Sequence, residues 1–271
     1  MKQTVLITGA STGIGHATAL AFANAGWQVV ATMRTPQPFN HPNIMVVPLD
    51  VTNVASIDSA FAAAIHQFKT IDVVVNNAGY GVDGVFEAMS DEVIQKQFDT
   101  NVLGLMRVTR KAIEHMRPRK SGTIIQVASM GGLLTFPAYS IYHGTKWAVE
   151  GFSESLQYEL LPLNIRVKII EPGAIKTDFY SRSRTFVKPN HTNDYDAFIQ
   201  KANQLSQDTG ARGAAPEVVA KTILKAASST SFKLRYVTGF PAPLLLWLRK
   251  VLPVAWFMAI VKMAYGIKKM K

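Results

Sequence analysis

The feature that most constrains this chain is an alternation, from its first residues onward, between apolar runs of strand length and segments with helical spacing. The runs are TVLIT (4–8), WQVVATM (27–33), IMVVPL (44–49), IDVVVNN (71–77), GTIIQVAS (122–129) and IRVKII (165–170), with LRYVTG (234–239) as a last strand. Helical spacing fills Ile14 to Ala25, Ser56 to Phe68, Glu92 to Met116 and Tyr142 to Leu161. Near-continuous Val and Ile strands separated by helices predict a doubly wound α/β fold, a parallel sheet of about seven strands with helices on both faces. Folds of this kind bind ligands beyond the carboxyl ends of their strands. The polar stretch Lys176 to Gly213 has weak pattern and reads either as a loop over the site or as an ordinary surface insertion.

Composition removes several alternatives. The chain has no cysteine, which excludes disulfides, thiolate catalysis and sulfur-ligated zinc, and is compatible with a reducing cytoplasm. Its opening, MKQTVLITGAS, lacks the apolar core of a secretory signal and reads as the first strand. None of the six histidines forms a recognisable metal pair, so no catalytic metal is expected. The formal charge of +11 resembles that of a nucleic-acid binder, but ten of the basic residues follow Glu217, after which there is no acid. Residues 1–217 carry a net charge of only +1, which argues against a basic nucleic-acid groove.

Directly after the first strand, TGASTGIG (8–15) leads into a helix. Gly9 permits a tight turn, Gly13 lets backbone approach a pyrophosphate, and Gly15 allows close helix packing, while the helix N-terminus supplies donors for phosphate. The spacing G-x-x-x-G-x-G departs from the commoner G-x-G-x-x-G. The second strand ends Ala31-Thr32-Met33-Arg34, with no acid to accept bonds from a ribose 2′-hydroxyl. Arg34 can form charge-assisted bonds to a 2′-phosphate, so NADP(H) is expected rather than NAD(H).

In IYHGTKW (141–147), Tyr142 and Lys146 stand four residues apart and share a helix face. A free phenol has a pKa near ~10, too high for a base at neutral pH, and a neighbouring ammonium is expected to lower it. Ser129, at the end of a strand, can both donate to a carbonyl and accept from an alcohol. Tyr139 is a competing acid-base candidate, but position 143 denies it a lysine one turn on. His143 itself is expected to face solvent or a substrate loop rather than act as a base.

TGASTGIG, LDVT (49–52), NNAG (76–79), Asn101 in TNVLG, Ser129, Tyr142-His-Gly-Thr-Lys146 and EPGAIKT (171–177), in this order and at these intervals, resemble the short-chain dehydrogenase/reductases in their roughly 250-residue form. The resemblance runs from Thr4 to about Gly239, and leans weakly toward the hydroxysteroid and retinol dehydrogenase-like branch. It implies a Rossmann-type domain over residues 1–240 with a C-terminal extension over 241–271 packed on it. It implies cofactor contacts from Gly9, Ser11, Thr12, Gly13, Ile14 and Gly15, from Arg34, and from Asp50 and Val51 at the adenine. Asn77, Ala78 and Gly79 would line the cofactor beyond the fourth strand, and Pro172, Gly173, Ile175 and Thr177 would approach the nicotinamide. Tyr142 would be the general acid/base, Lys146 would also hold the nicotinamide ribose, Ser129 would orient substrate, and Asn101 would hold a water that links Lys146 to solvent. The implied activity is hydride transfer between NADP(H) and an alcohol or carbonyl; a non-catalytic redox-sensing protein with the same fold is the alternative. Homo-oligomers are common in the family.

The extension, PAPLLLWLRKVLPVAWFMAIVKMAYGIKKMK, is apolar and basic, and its longest uncharged run, Val251 to Val261, contains Pro253 and is too short to span a bilayer. It reads as a cover over a substrate cleft or a subunit contact, as an interfacial helix on anionic lipid, or as core packing. The first two imply a small lipophilic alcohol or carbonyl as substrate, and the second a cytoplasmic protein in peripheral membrane contact.

Overall fold

The computed structural model describes residues 2–177 and 184–267. Seven parallel strands form its centre: β1 (Thr4–Thr8), β2 (Gln28–Met33), β3 (Ile44–Pro48), β4 (Val73–Asn76), β6 (Gly122–Val127), β7 (Ile165–Pro172) and β9 (Arg235–Thr238). Their order is β3-β2-β1-β4-β6-β7-β9. The order reverses direction between β1 and β4, so the crossovers on either side leave for opposite faces and open a crevice at the carboxyl edge. The strands β1, β4 and β6 are buried throughout, as their unbroken apolar runs require.

Two helical layers cover the sheet. On one face, α1 (Gly13–Asn24) and α7 (Pro216–Ser228) bury Phe22, Val219 and Ile223 against Val5, Ile7 and Val75. On the other, α2 (Val54–Phe68), α4 (Leu105–Met116) and α5 (Ser140–Leu160) bury Phe61, Val108 and Leu156 against Leu6, Val74 and Ile124. The alternating inward positions of β1 thus feed different cores, Ile7 one and Leu6 the other.

The structure departs from the pattern-based expectation in two places. Glu92 to Met116 is not one helix: α3 (Asp91–Phe98) passes into a π-helical turn, Asp99–Gly104, before α4 begins. The buried Asn101 within that turn reaches outside the helix, its Oδ1 accepting from the Tyr80 N–H at 3.1 Å and its Nδ2 donating to the Tyr80 carbonyl at 3.0 Å. Lys176 to Gly213 is not a patternless loop, for it contains β8 (Arg184–Val187), paired in parallel with β5 (Gly81–Gly84), and α6 (Asp196–Ala211). Residues 178–183 of that stretch lie outside the described residues.

The extension forms α8 (Ala242–Val251) and α9 (Val254–Ala264), whose Ala242 and Phe257 are buried with Met130 and Leu134. No helix among the described residues is long and apolar enough to cross a membrane.

Candidate active site

The crevice at the sheet's carboxyl edge is a cleft of about 1340 Å³. Its floor is the turn between β1 and α1. Gly9 has φ +67° and Gly13 φ +56°, the left-handed region that favours glycine, and a Cβ on Gly9 would stand 2.8 Å from the Ala78 Cα. Gly15 lies against the Gly9 carbonyl oxygen, which a Cβ there would strike. Thr8 and Asn77 lash the two neighbouring loops together. The Thr8 Oγ1 accepts from the Asn77 and Ala78 N–H groups, both at 3.0 Å, and the Asn77 Nδ2 donates to the Thr8 and Gly9 carbonyls at the same distance. The first turn of α1 holds no acidic residue, and the N-cap Thr12 makes no side-chain cap. That leaves its N–H groups and the positive end of the helix dipole directed at the cleft, as a dinucleotide phosphate requires. These residues fit a dinucleotide cofactor.

Of the expected cofactor contacts, Gly9, Ser11, Thr12, Gly13, Ile14, Arg34, Asp50 and Val51 line the cleft, as do Asn77, Ala78, Gly79, Pro172, Gly173, Ile175 and Thr177. Gly15 does not, since its part is packing beneath the turn. Arg34 is exposed at the end of β2 and forms no ion pair among the described residues. Burial acts to raise the Asp50 carboxyl, but hydrogen bonds from Thr52 and the charge of Arg34 outweigh it and hold the group below its ordinary value.

Ser129, Tyr142 and Lys146 meet in the same cleft wall. Ser129 stands just past β6 rather than within it, and caps a short turn by accepting from the Gly131 N–H at 3.0 Å. Tyr142 and Lys146 lie on the first turns of α5, with the Lys146 Nζ 5.8 Å from the phenol ring centroid. The expected lowering of the phenol is not found. Burial pushes Tyr142 up to about 12, against a hydrogen bond from Ser129 that favours the phenolate. The buried Lys146 Nζ donates to the Val127 carbonyl at 2.9 Å. Burial also brings Lys146 down to about 8, opposed by the charge of Glu150.

Asn101 does not reach the cleft; its Nδ2 also donates to the Thr145 Oγ1 at 3.2 Å, tying the π-helical turn to α5. His143 does not face solvent. It is buried, lines the cleft, and is brought down to about 4 by burial, with Nδ1 accepting from the Phe136 N–H at 3.4 Å. Tyr139 also lines the cleft, its hydroxyl 2.6 Å from the Ser206 Oγ of α6. Sequence reasoning missed Leu205, Ser206 and Thr209 of α6, together with Leu245 and Tyr265 of the extension, all of which line the cleft. No three of His, Asp or Glu among the described residues converge as a metal site would need.

Residues 3–188 match the family model described as short chain dehydrogenase. The uncharacterized oxidoreductase YusZ of Bacillus subtilis is 36% identical over 275 residues, covering 96% of this chain and 98% of that one. A 3-ketodihydrosphingosine reductase of Bacteroides thetaiotaomicron is 33% identical over 207 residues, covering 76% of this chain and 77% of its own. A solved short-chain dehydrogenase from Streptomyces avermitilis superposes with a TM-score of 0.83 at 32% identity, covering 99% of each chain. Similar structures have been solved with either cofactor: ElxO with NADP (TM-score 0.71, 26% identity, 88% of this chain and 98% of that one) and a 3-ketoacyl-(acyl-carrier-protein) reductase from Brucella melitensis with NADH (0.73, 27%, 87% and 96%). With more than half of its length matched by the family model, and relatives aligned almost end to end, this chain belongs to the short-chain dehydrogenase/reductase family of oxidoreductases.

Proposed function

We propose that this oxidoreductase interconverts a lipophilic alcohol and its carbonyl with NADP(H) as cofactor. The observation that carries the reading is that Ser129, Tyr142 and Lys146 open onto the same cleft as the glycine turn and Arg34. Bound there, NADP(H) would supply or accept the hydride. The phenol of Tyr142, protonated at neutral pH by its burial, gives a proton to the carbonyl oxygen in reduction; in oxidation its phenolate, left once the phenolic proton has passed to solvent, takes one from the alcohol. Ser129, which already bonds that phenol, orients the same oxygen. Lys146 supplies positive charge beside the ribose end of the site, and Asn101 acts at one remove, fixing the Tyr80 backbone and α5. A redox sensor without chemistry would have no use for these three groups in one wall.

Arg34 and the absence of an acid at the β2 terminus support NADP(H) over NAD(H). The apolar side chains of Phe136, Leu205 and Leu245 in the cleft lining support a lipophilic substrate, as does the relative named 3-ketodihydrosphingosine reductase. Homo-oligomeric assembly is part of the same proposal and rests on the family alone. The test is a spectrophotometric screen of NADPH and NADH oxidation against ketones and aldehydes of increasing apolar size. Turnover that rises with apolar size and prefers NADPH supports the reading; turnover only with small polar carbonyls contradicts it.

A further inference from the structure

The pair α8 and α9 is apolar on two sides. Inward, Phe257, Leu245 and Val261 pack with Met130 and Leu134, and Leu245 and Tyr265 reach the cleft. Outward, Trp256, Ile260, Met263 and Ile267 recur at helical spacing along and just past α9, with Met263 78% and Trp256 66% exposed. On α8, Leu244, Trp247 and Val251 form a second exposed stripe. A helix covering a soluble core turns polar residues outward, and single exposed apolar residues are ordinary, but two adjoining stripes with two tryptophans are not.

Charge decides what such a face fits. Lys250 and Lys262 are exposed among the stripes, Arg249 is half-buried with its guanidinium over the inward Phe257 ring, and no acidic residue follows Glu217 in the chain. A second copy meeting the face by two-fold symmetry would press these cations together without countercharge from either segment. A surface of anionic lipid supplies the countercharge, takes the apolar stripes into its acyl boundary and places tryptophan where it is favoured, at the polar–apolar border.

We propose that the outward face of α8 and α9 docks on an anionic lipid surface, which brings the part of the cleft lined by Leu245 and Tyr265 near the bilayer so that an apolar substrate enters from the membrane. The entry route rests on the function proposed above; the docking does not. The test is co-flotation of the full chain, without cofactor or substrate, with phosphatidylcholine vesicles containing or lacking phosphatidylglycerol. Partition onto the phosphatidylglycerol vesicles at low salt, and release in about 1 M salt, where the screening length falls to about 3 Å, is the expected result. Two variants outside the cleft, Trp256→Ser with Met263→Ser and Lys250→Glu with Lys262→Glu, should each weaken partition roughly tenfold or more while retaining NADPH binding. The Tyr142→Phe protein should partition like the parent, so failure of the catalytic reading leaves this result standing. The proposal is overturned by absence of partition at low salt, by partition indifferent to both variants, or by sedimentation showing self-association that Trp256→Ser with Met263→Ser abolishes while lipid stays unbound.

Discussion

Lys146 points its ammonium at the Val127 carbonyl oxygen, 2.9 Å away, and not at the phenol of Tyr142 one helical turn before it. The helix spacing brings the two side chains near each other, but a strand-end acceptor from β6 determines where the charge sits. The proton state of the pair follows from burial. Tyr142, pushed up to about 12, stays protonated across the working range, whereas Lys146, brought down to about 8, begins to lose its charge just above neutrality. Reduction that needs a protonated phenol beside a charged lysine is therefore predicted to lose kcat/KM as pH rises through about 8. In Lys146→Arg, whose cation does not titrate in this range, that limb should disappear even if the maximum is lower. A limb of unchanged position in the variant would assign it to another group.

Arg34 stands exposed at the end of β2, lines the cleft and forms no ion pair among the described residues. Its charge is predicted to favour the 2′-phosphate of NADP(H). Arg34→Asp should lower the ratio of kcat/KM for NADPH over NADH by about 100-fold or more, because it removes an attraction and adds a repulsion, each worth roughly tenfold or more. Steady-state kinetics with both cofactors reads this ratio directly, and an unchanged ratio would take the 2′-phosphate away from Arg34.

Away from the cleft, Arg235 is shared by three carboxylates: its Nε lies 3.1 Å from Glu150 and 3.3 Å from Glu171, and its Nη2 lies 2.6 Å from Glu154. Burial raises Glu150 to about 7; burial and the charge of Glu150 raise Glu171 to about 8. The two interact, so they release their protons as a pair. A carboxyl whose folded value is raised favours the folded state while it is protonated. That contribution is complete below the ordinary value of about 4.5 and is lost as pH climbs through 7 to 8. Denaturant unfolding of the parent should therefore show stability falling between about pH 5 and pH 8, by several kcal/mol. In Glu171→Gln the fall should be much shallower. Parallel curves for the two proteins would place the titration elsewhere.

Much of this architecture was legible because the sheet is buried on both faces, which leaves unbroken Val and Ile runs such as Val73 to Val75 with no competing pattern. The glycine turn was legible because Gly9 and Gly13 occupy backbone conformations few other residues accept. What escaped the sequence depends on partners far along the chain. The π-helical turn is set by Asn101 bonding Tyr80 and Thr145, neither of which a helical pattern can reveal. Helix α6 escaped because its inward positions include Ala202, Ser206 and Gly210, small or polar residues that leave little amphipathic signal. The partner of Lys146 escaped for the same reason, since the Val127 carbonyl is nineteen residues away in sequence and belongs to another element.

In the proposed mechanism Tyr142, and not its neighbour Tyr139, carries the proton. Both phenols line the cleft, but Tyr139 shares a 2.6 Å hydrogen bond with Ser206, while Tyr142 is bonded by Ser129 and stands beside Lys146. The most direct measurement compares the rate of hydride transfer in a single turnover for Tyr142→Phe and Tyr139→Phe, with NADPH affinity determined for each by fluorescence. Tyr142→Phe should slow the step by about 100-fold or more, the span of one acid-base group, with NADPH affinity kept within a few-fold, and Tyr139→Phe should leave the step nearly unchanged. Normal transfer in Tyr142→Phe, or an equal loss in Tyr139→Phe, would contradict the account.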